Sequence, residues 1–102
     1  MKRILLVCNA GMSTSLLVQK MQSSAKEKGI DVEIEAKSVT EAKKDLSSVN
    51  VVLVGPQIRY ELNNIKSISG GVPVDAINMQ DYGMMNGENV LKQAINLIGE
   101  PI

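Results

Sequence analysis

Val7-Cys8-Asn9-Ala10-Gly11-Met12-Ser13-Thr14-Ser15 is the stretch on which the reading of this chain turns. An apolar run, Ile4 to Val7, precedes it, and a helical pattern begins near Thr14 and continues to Lys28. Strand, short polar loop, helix: that order sets the only cysteine at the carboxyl end of a first strand. The amides that open a helix have no acceptor further back in it and carry the positive end of its dipole. They therefore favour an anion, and thiolate over thiol. The stretch reads as a cradle that holds a phosphoryl group on Cys8.

Outward from the loop, Lys2 to Val7 is a strand whose continuous apolar run marks it as covered on both faces, hence central. The helix carries Leu17, Met21 and Ala25 on one side and stops at Gly29, with Ser13 or Thr14 as its N-cap. Asp31 to Lys37 alternates apolar with charged residues, as expected near a sheet edge. Ser38 and Glu41 have capping-box spacing and should open a short helix through Leu46. Val51 to Val54 is a second continuous run and a second central strand. Gly55-Pro56-Gln57 makes a turn into a helix bearing Ile58, Leu62 and Ile65, which Gly70-Gly71 ends. Val72 to Ile77 is a fourth strand, and Pro73 places it at an edge. Asn78 to Asn86 reads as a loop before a last helix, Glu88 to Ile98.

Strands alternating with helices predict a parallel sheet with right-handed crossovers. Two continuous strands inside and two alternating strands outside give the order 2-1-3-4. The expected fold is thus three-layer α/β, with helices on both faces of a four-stranded parallel sheet, flavodoxin-like or low-molecular-weight phosphatase-like. Ligands in such sheets bind beyond the carboxyl ends, where the strand order reverses. Cys8 and Gly55 both fall at that reversal.

A chain of 102 residues is expected to form a single domain, residues 1–102. Its 11 basic and 11 acidic residues cancel, so the basic stripe of a nucleic-acid binder is missing. One cysteine excludes an internal disulfide, and with no histidine a conventional zinc site is not expected. No metal or cofactor is implied. The apolar run before Cys8 is four residues long, against the roughly 7–15 of a secretory signal. The expected location is cytoplasmic, without membrane insertion.

Cysteine, five residues, then arginine is the phosphate loop of low-molecular-weight tyrosine phosphatases. Here the arginine position is Thr14, and no Lys or Arg occurs between Arg3 and Lys20. Without a guanidinium clamp the loop can bind a phosphoryl group but stabilises its hydrolysis poorly, which suits a carrier. Asp81 is the one candidate for a general acid, a solvated turn residue being the plainer reading. For Cys8 the plain alternative is a small buried hydrophobe. A phosphatase or arsenate-reductase-like thiol enzyme, and a module that merely holds an anion, remain the competing functions.

The residues Cys8-Asn9-Ala10-Gly11-Met12-Ser13-Thr14-Ser15, with Gly55-Pro56-Gln57 and Tyr82-Gly83, resemble a family over essentially the whole chain. It is the IIB component of the lactose/cellobiose (chitobiose) class of the bacterial phosphoenolpyruvate-dependent sugar phosphotransferase system. The resemblance implies a relay: a IIA protein carries phosphohistidine, IIB accepts the group on cysteine, and a membrane IIC protein presents the sugar that receives it. On this sequence it makes Cys8 the nucleophile. Asn9, Ala10, Gly11, Met12, Ser13, Thr14 and Ser15 become the phosphate cradle. The sugar is expected to be a cellobiose- or chitobiose-type disaccharide.

Partner docking should surround the cradle. Met12, Pro56, Gln57, Ile58, Tyr60, Tyr82, Met84 and Met85 fall on loops or helix starts at that end of the sheet. For Ile58 and Met84 an ordinary core or cap role competes evenly. Gln57, then Tyr82, are the expected polar contacts near the site.

Overall fold

The two continuous apolar runs become neighbouring strands, β1 (Lys2–Val7) and β3 (Val51–Val54), at the centre of a four-stranded parallel sheet. The computed structural model describes residues 2–8 and 12–99, with the backbone alone for 12–14. The strand order is β2-β1-β3-β4, as expected, with β2 at Val32–Lys37 and β4 at Val74–Ala76. Lys2 pairs with Val32 and Val7 with Lys37 on one side of β1; Ile4 pairs with Val51 and Val7 with Val54 on the other.

That register sorts the side chains into two apolar layers. Ile4, Leu6, Val51 and Leu53 face α1 (Met12–Lys28) and, from the far end of the chain, α5 (Gly87–Ile98). Leu5, Val7, Val52 and Val54 face α2 (Val39–Lys43) and α3 (Leu62–Ile68). All eight are buried, and each contributes about 1.5–3 kcal/mol of apolar burial. A one-residue slip would exchange the two sets, so the register is strongly specified.

The helix boundaries depart from the sequence reading in four places. First, α1 starts at Met12, so Ser13 and Thr14 lie inside its first turn and neither caps it. Second, the helix after Ser38 ends at Lys43. The Ser38 hydroxyl accepts from the Glu41 N–H at 3.4 Å, the first bond of a capping box, and donates to Glu41 Oε1 at 3.2 Å, where the full motif has that carboxylate accept from the N-cap backbone N–H. Asp45, however, turns out of the helix to hold Ser48 Oγ and Lys37, and Leu46–Ser48 forms a separate 3₁₀ turn. Third, Pro56–Glu61 is a 3₁₀ segment with Ile58 at φ −120°, ψ 31°, and regular helix begins only at Leu62. Fourth, the expected loop 78–86 contains a short helix, α4 (Met79–Gly83), capped by Asn78 Oδ1, which accepts from the Asp81 N–H at 3.1 Å. The Asn78-x-x-Asp81 spacing is itself an N-cap signature that the loop reading passed over.

Strand β4 is shorter than the expected 72–77. Pro73, with no N–H to give, only accepts from the Val52 amide at 2.9 Å, as an edge position permits. On the opposite face of the sheet, α5 crosses α1 very closely. A Cβ on Gly87 would stand 2.6–2.7 Å from backbone and Cβ atoms of Lys20 and Met21, so only glycine fits there. Among the described residues, no helix is long and apolar enough to cross a membrane.

Candidate functional site

The sheet's hydrogen bonding carries on past the strand ends and fixes the floor of the site. Cys8 N–H donates to Lys37 O at 3.1 Å, Gly55 N–H to Val7 O at 2.8 Å, and Ile77 N–H to Val54 O at 2.8 Å. Three chain exits are thereby held side by side at the carboxyl edge, where the strand order reverses. Cys8 is held at the central exit, 4% exposed. It is buried, yet it belongs to neither of the two apolar layers.

Only residues 9–11 separate Cys8 from the first residue of α1, which is closer than the sequence suggested. The first-turn amides of Met12, Ser13 and Thr14 have no acceptor further back in the helix, and that turn holds no acidic residue. A 17-residue helix thus opens with its positive end beside the cysteine segment. Of the expected cradle, Asn9, Ala10 and Gly11 lie outside the described residues, as do the side chains of Met12, Ser13 and Thr14. Ser15 is exposed in the first turns of the helix.

From β3, Gly55 closes the other side. A Cβ placed on it would meet Gln57 Oε1 at 3.1 Å, Val7 O at 3.3 Å and Cys8 Cβ at 3.6 Å, so the missing side chain lets β3 and Gln57 approach the cysteine. Gln57 is exposed, but its Nε2 donates to the Tyr82 hydroxyl at 3.0 Å. The structure therefore joins the two residues named as expected polar contacts. Tyr82 itself is 8% exposed, its ring packed with the α1–α5 layer.

Ile58 is likewise core, 1% exposed in the α2–α3 layer, because the 3₁₀ segment after Pro56 turns it inward. Tyr60 is exposed as expected; Met84 is exposed and is also the C-cap of α4, the role that competed for it, while Pro56 and Met85 are half-buried. Exposed Leu16 on α1 and Met79 on α4 were not singled out from sequence, though they leave the same edge of the sheet. Asp81 has structural partners: its Oδ1 accepts from Asn89 Nδ2 at 3.1 Å and its carbonyl from the Asn86 N–H at 2.8 Å.

Lys37 stands next to Cys8 through the backbone, but its ammonium is engaged on the other face. It donates to Asp45 Oδ2 at 2.8 Å and lies 3.8 Å from Glu35. The hydrogen bond from Lys37, with another from Ser48, holds the Asp45 carboxyl down at about 2, and the same bond to Asp45 raises the Lys37 pKa. This ion-pair cluster also takes in Arg3, 3.5 Å from Asp45 and 3.4 Å from Glu35.

Residues 3–93 match the family of lactose/cellobiose-specific IIB subunits of the phosphotransferase system. The chain is 48% identical to the galactose-specific EIIB component of Lactococcus lactis subsp. cremoris over 95% of its own length and 96% of that protein. It is 45% identical to the cellobiose-specific IIB component of Borrelia burgdorferi, whose solution structure superposes with a TM-score of 0.82 over 96% of this chain and 92% of that one. The YwlE arginine phosphatase of Bacillus subtilis shares the fold at 14% identity, with a TM-score of 0.61 over 98% and 97% of the two chains.

Proposed function

The chain belongs to the lactose/cellobiose-specific IIB family, the phosphotransferase components of a sugar phosphotransferase system, and from that premise we propose that Cys8 is the residue that carries the phosphoryl group. The observation that carries the reading is the placement of Cys8 at the end of central strand β1, with α1 opening four residues later at Met12. In the first half of the relay the Cys8 thiolate attacks phosphorus on the phosphohistidine of a IIA protein. The S–P bond forms, the P–N bond breaks, and the imidazole leaves and takes up a proton. In the second half a hydroxyl of a sugar held by a membrane IIC protein attacks the same phosphorus. The P–O bond forms, the P–S bond breaks, and the thiolate returns as the hydroxyl proton is lost to a base or water.

The first-turn amides of α1 and the cradle from Asn9 to Ser15 bind the phosphoryl oxygens in this scheme, and the helix dipole favours the charged sulfur and its thiophosphate alike. Thr14 stands where the phosphatases have arginine, so the transferred group keeps its positioning without a cationic arm to speed attack by water. The substrate is a cellobiose- or chitobiose-type disaccharide, and the work is done in the cytoplasm. Exposed Leu16, Tyr60, Met79 and Met84 around the sheet edge form the surface that meets IIA and IIC in turn.

The likeness of fold to an arginine phosphatase favours one second reading, a thiol phosphatase. Incubation with a phosphorylated IIA protein of the lactose/cellobiose class, followed by intact-mass measurement, decides between the two. The carrier gains one long-lived phosphoryl group that Cys8→Ala cannot take up. Repeated turnover of an aryl phosphate, with no lasting adduct, would establish the phosphatase and end the carrier reading.

A further inference from the structure

Gln57 and Tyr82 lie 25 residues apart and follow different strands, yet one hydrogen bond of 3.0 Å joins them across the carboxyl edge of the sheet. The two ends of that bond differ in freedom. Tyr82 is anchored, its ring buried in the α1–α5 layer, whereas Gln57 is an exposed side chain with three rotatable bonds whose ordering costs conformational entropy. A fixed hydroxyl therefore orders a mobile amide. The other end of that amide reaches toward the cysteine: Gln57 Oε1 and Cys8 Cβ stand 3.1 and 3.6 Å from one point, the place a Cβ on Gly55 would occupy. The absence of a side chain at Gly55 keeps this approach open.

We propose that Tyr82 positions Gln57 beside the phosphoryl group on Cys8, and that the Gln57 amide supplies a neutral hydrogen-bond donor to that group in place of a cationic arm. The inference rests on the reading of Cys8 as the phosphoryl carrier. A phenolic hydroxyl both donates and accepts, while an amide has one end of each kind. The pair therefore holds in either orientation of the amide. In the resting arrangement Nε2 donates to the tyrosine and Oε1 faces the Gly55 side. Phosphoryl oxygens only accept, so the loaded state selects the reverse: the tyrosine hydroxyl donates to Oε1 and an N–H turns to the phosphoryl group. A neutral donor orients the group for in-line transfer without the full charge that would promote hydrolysis.

The test uses the full chain and a phosphohistidine-bearing IIA protein of the lactose/cellobiose class. In ¹⁵N-labelled protein the side-chain NH₂ signals of Gln57 should shift when Cys8 is phosphorylated, and this shift should shrink in Tyr82→Phe. Gln57→Ala should slow phosphoryl uptake on the order of tenfold, and Tyr82→Phe several-fold. Gln57→Glu should be slower than Gln57→Ala, because a carboxylate repels the incoming group. Gln57 is exposed, so its variants should keep the wild-type unfolding midpoint. Wild-type uptake rates in all three variants would overturn the inference and leave the carrier reading standing. So would Gln57→Glu and Gln57→Ala proving equally slow. A wild-type protein that takes up no phosphoryl group would bring down the carrier reading and this inference with it.

Discussion

The two faces of the sheet are covered in different ways. One is packed by α1 and α5, of 17 and 12 residues, which cross so closely that Gly87 has no room for a Cβ. The other is covered by α2 and α3, of 5 and 7 residues, with 3₁₀ segments between and around them. At the β2 edge of that second face, Arg3, Glu33, Glu35, Lys37 and Asp45 form a charged network. The face with long helices supplies the helix N-terminus beside Cys8. The phosphoryl site proposed there needs a rigid dipole, and a helix anchored along its whole length provides one. The charged network lies behind the sheet from that site and draws Lys37 away from it.

The contrast predicts a ranked set of stability losses. The largest belongs to the tight crossing: Gly87→Ala should cost about 3 kcal/mol, because the atoms in the way are mostly backbone and cannot turn aside. Urea unfolding measures it, and a loss under about 0.5 kcal/mol would show that the crossing opens easily. On the other face, Ser38→Ala removes the cap of a five-residue helix and should cost about 1 kcal/mol by the same assay. A larger loss there than at Gly87 would reverse the ranking of the faces.

The smallest effect is electrostatic and is read from the acid limb of the stability–pH curve. The folded-state pKa of Asp45 is depressed to about 2 from 3.8. Its contribution is present in full above the unfolded value and fades as pH falls through roughly 4 toward 2. Asp45→Asn should flatten that part of the stability–pH curve. Glu88, whose pKa is lowered by its hydrogen bond with Lys28 across α1 and α5, adds acid sensitivity on the opposite face and should keep a residual slope in the variant. An unchanged slope after Asp45→Asn would remove the network from any account of acid stability.

Much of the fold was legible because it is written in local patterns. Continuous runs in β1 and β3 and alternation in β2 predicted which strands lie inside, and hence the order 2-1-3-4. The position of Cys8 at a strand end followed from the same pattern. Harder to read were the places where one residue serves two demands. Asp45 looked like helix interior, but Lys37, Arg3 and Ser48 claim its carboxylate and the helix stops short. Ile58 fits a helical stripe, yet it reaches the core through an irregular turn after Pro56. Helix α4 is hard to read from sequence because the Asn78 cap opens a helix of only five residues, too short to show a hydrophobic period.

By itself, the sequence determined the alternation of strands and helices, the central pair and the cysteine at the mouth of the first crossover. These follow from hydrophobic period and from glycine and proline stops, which act over a few residues. Only the tertiary structure decided that Tyr82 is buried, that its hydroxyl meets Gln57, and that Gly55 leaves room for Gln57 to approach Cys8. Those contacts join segments that leave different strands, and the register of a twisted parallel sheet, which no local pattern encodes, sets the distance between them.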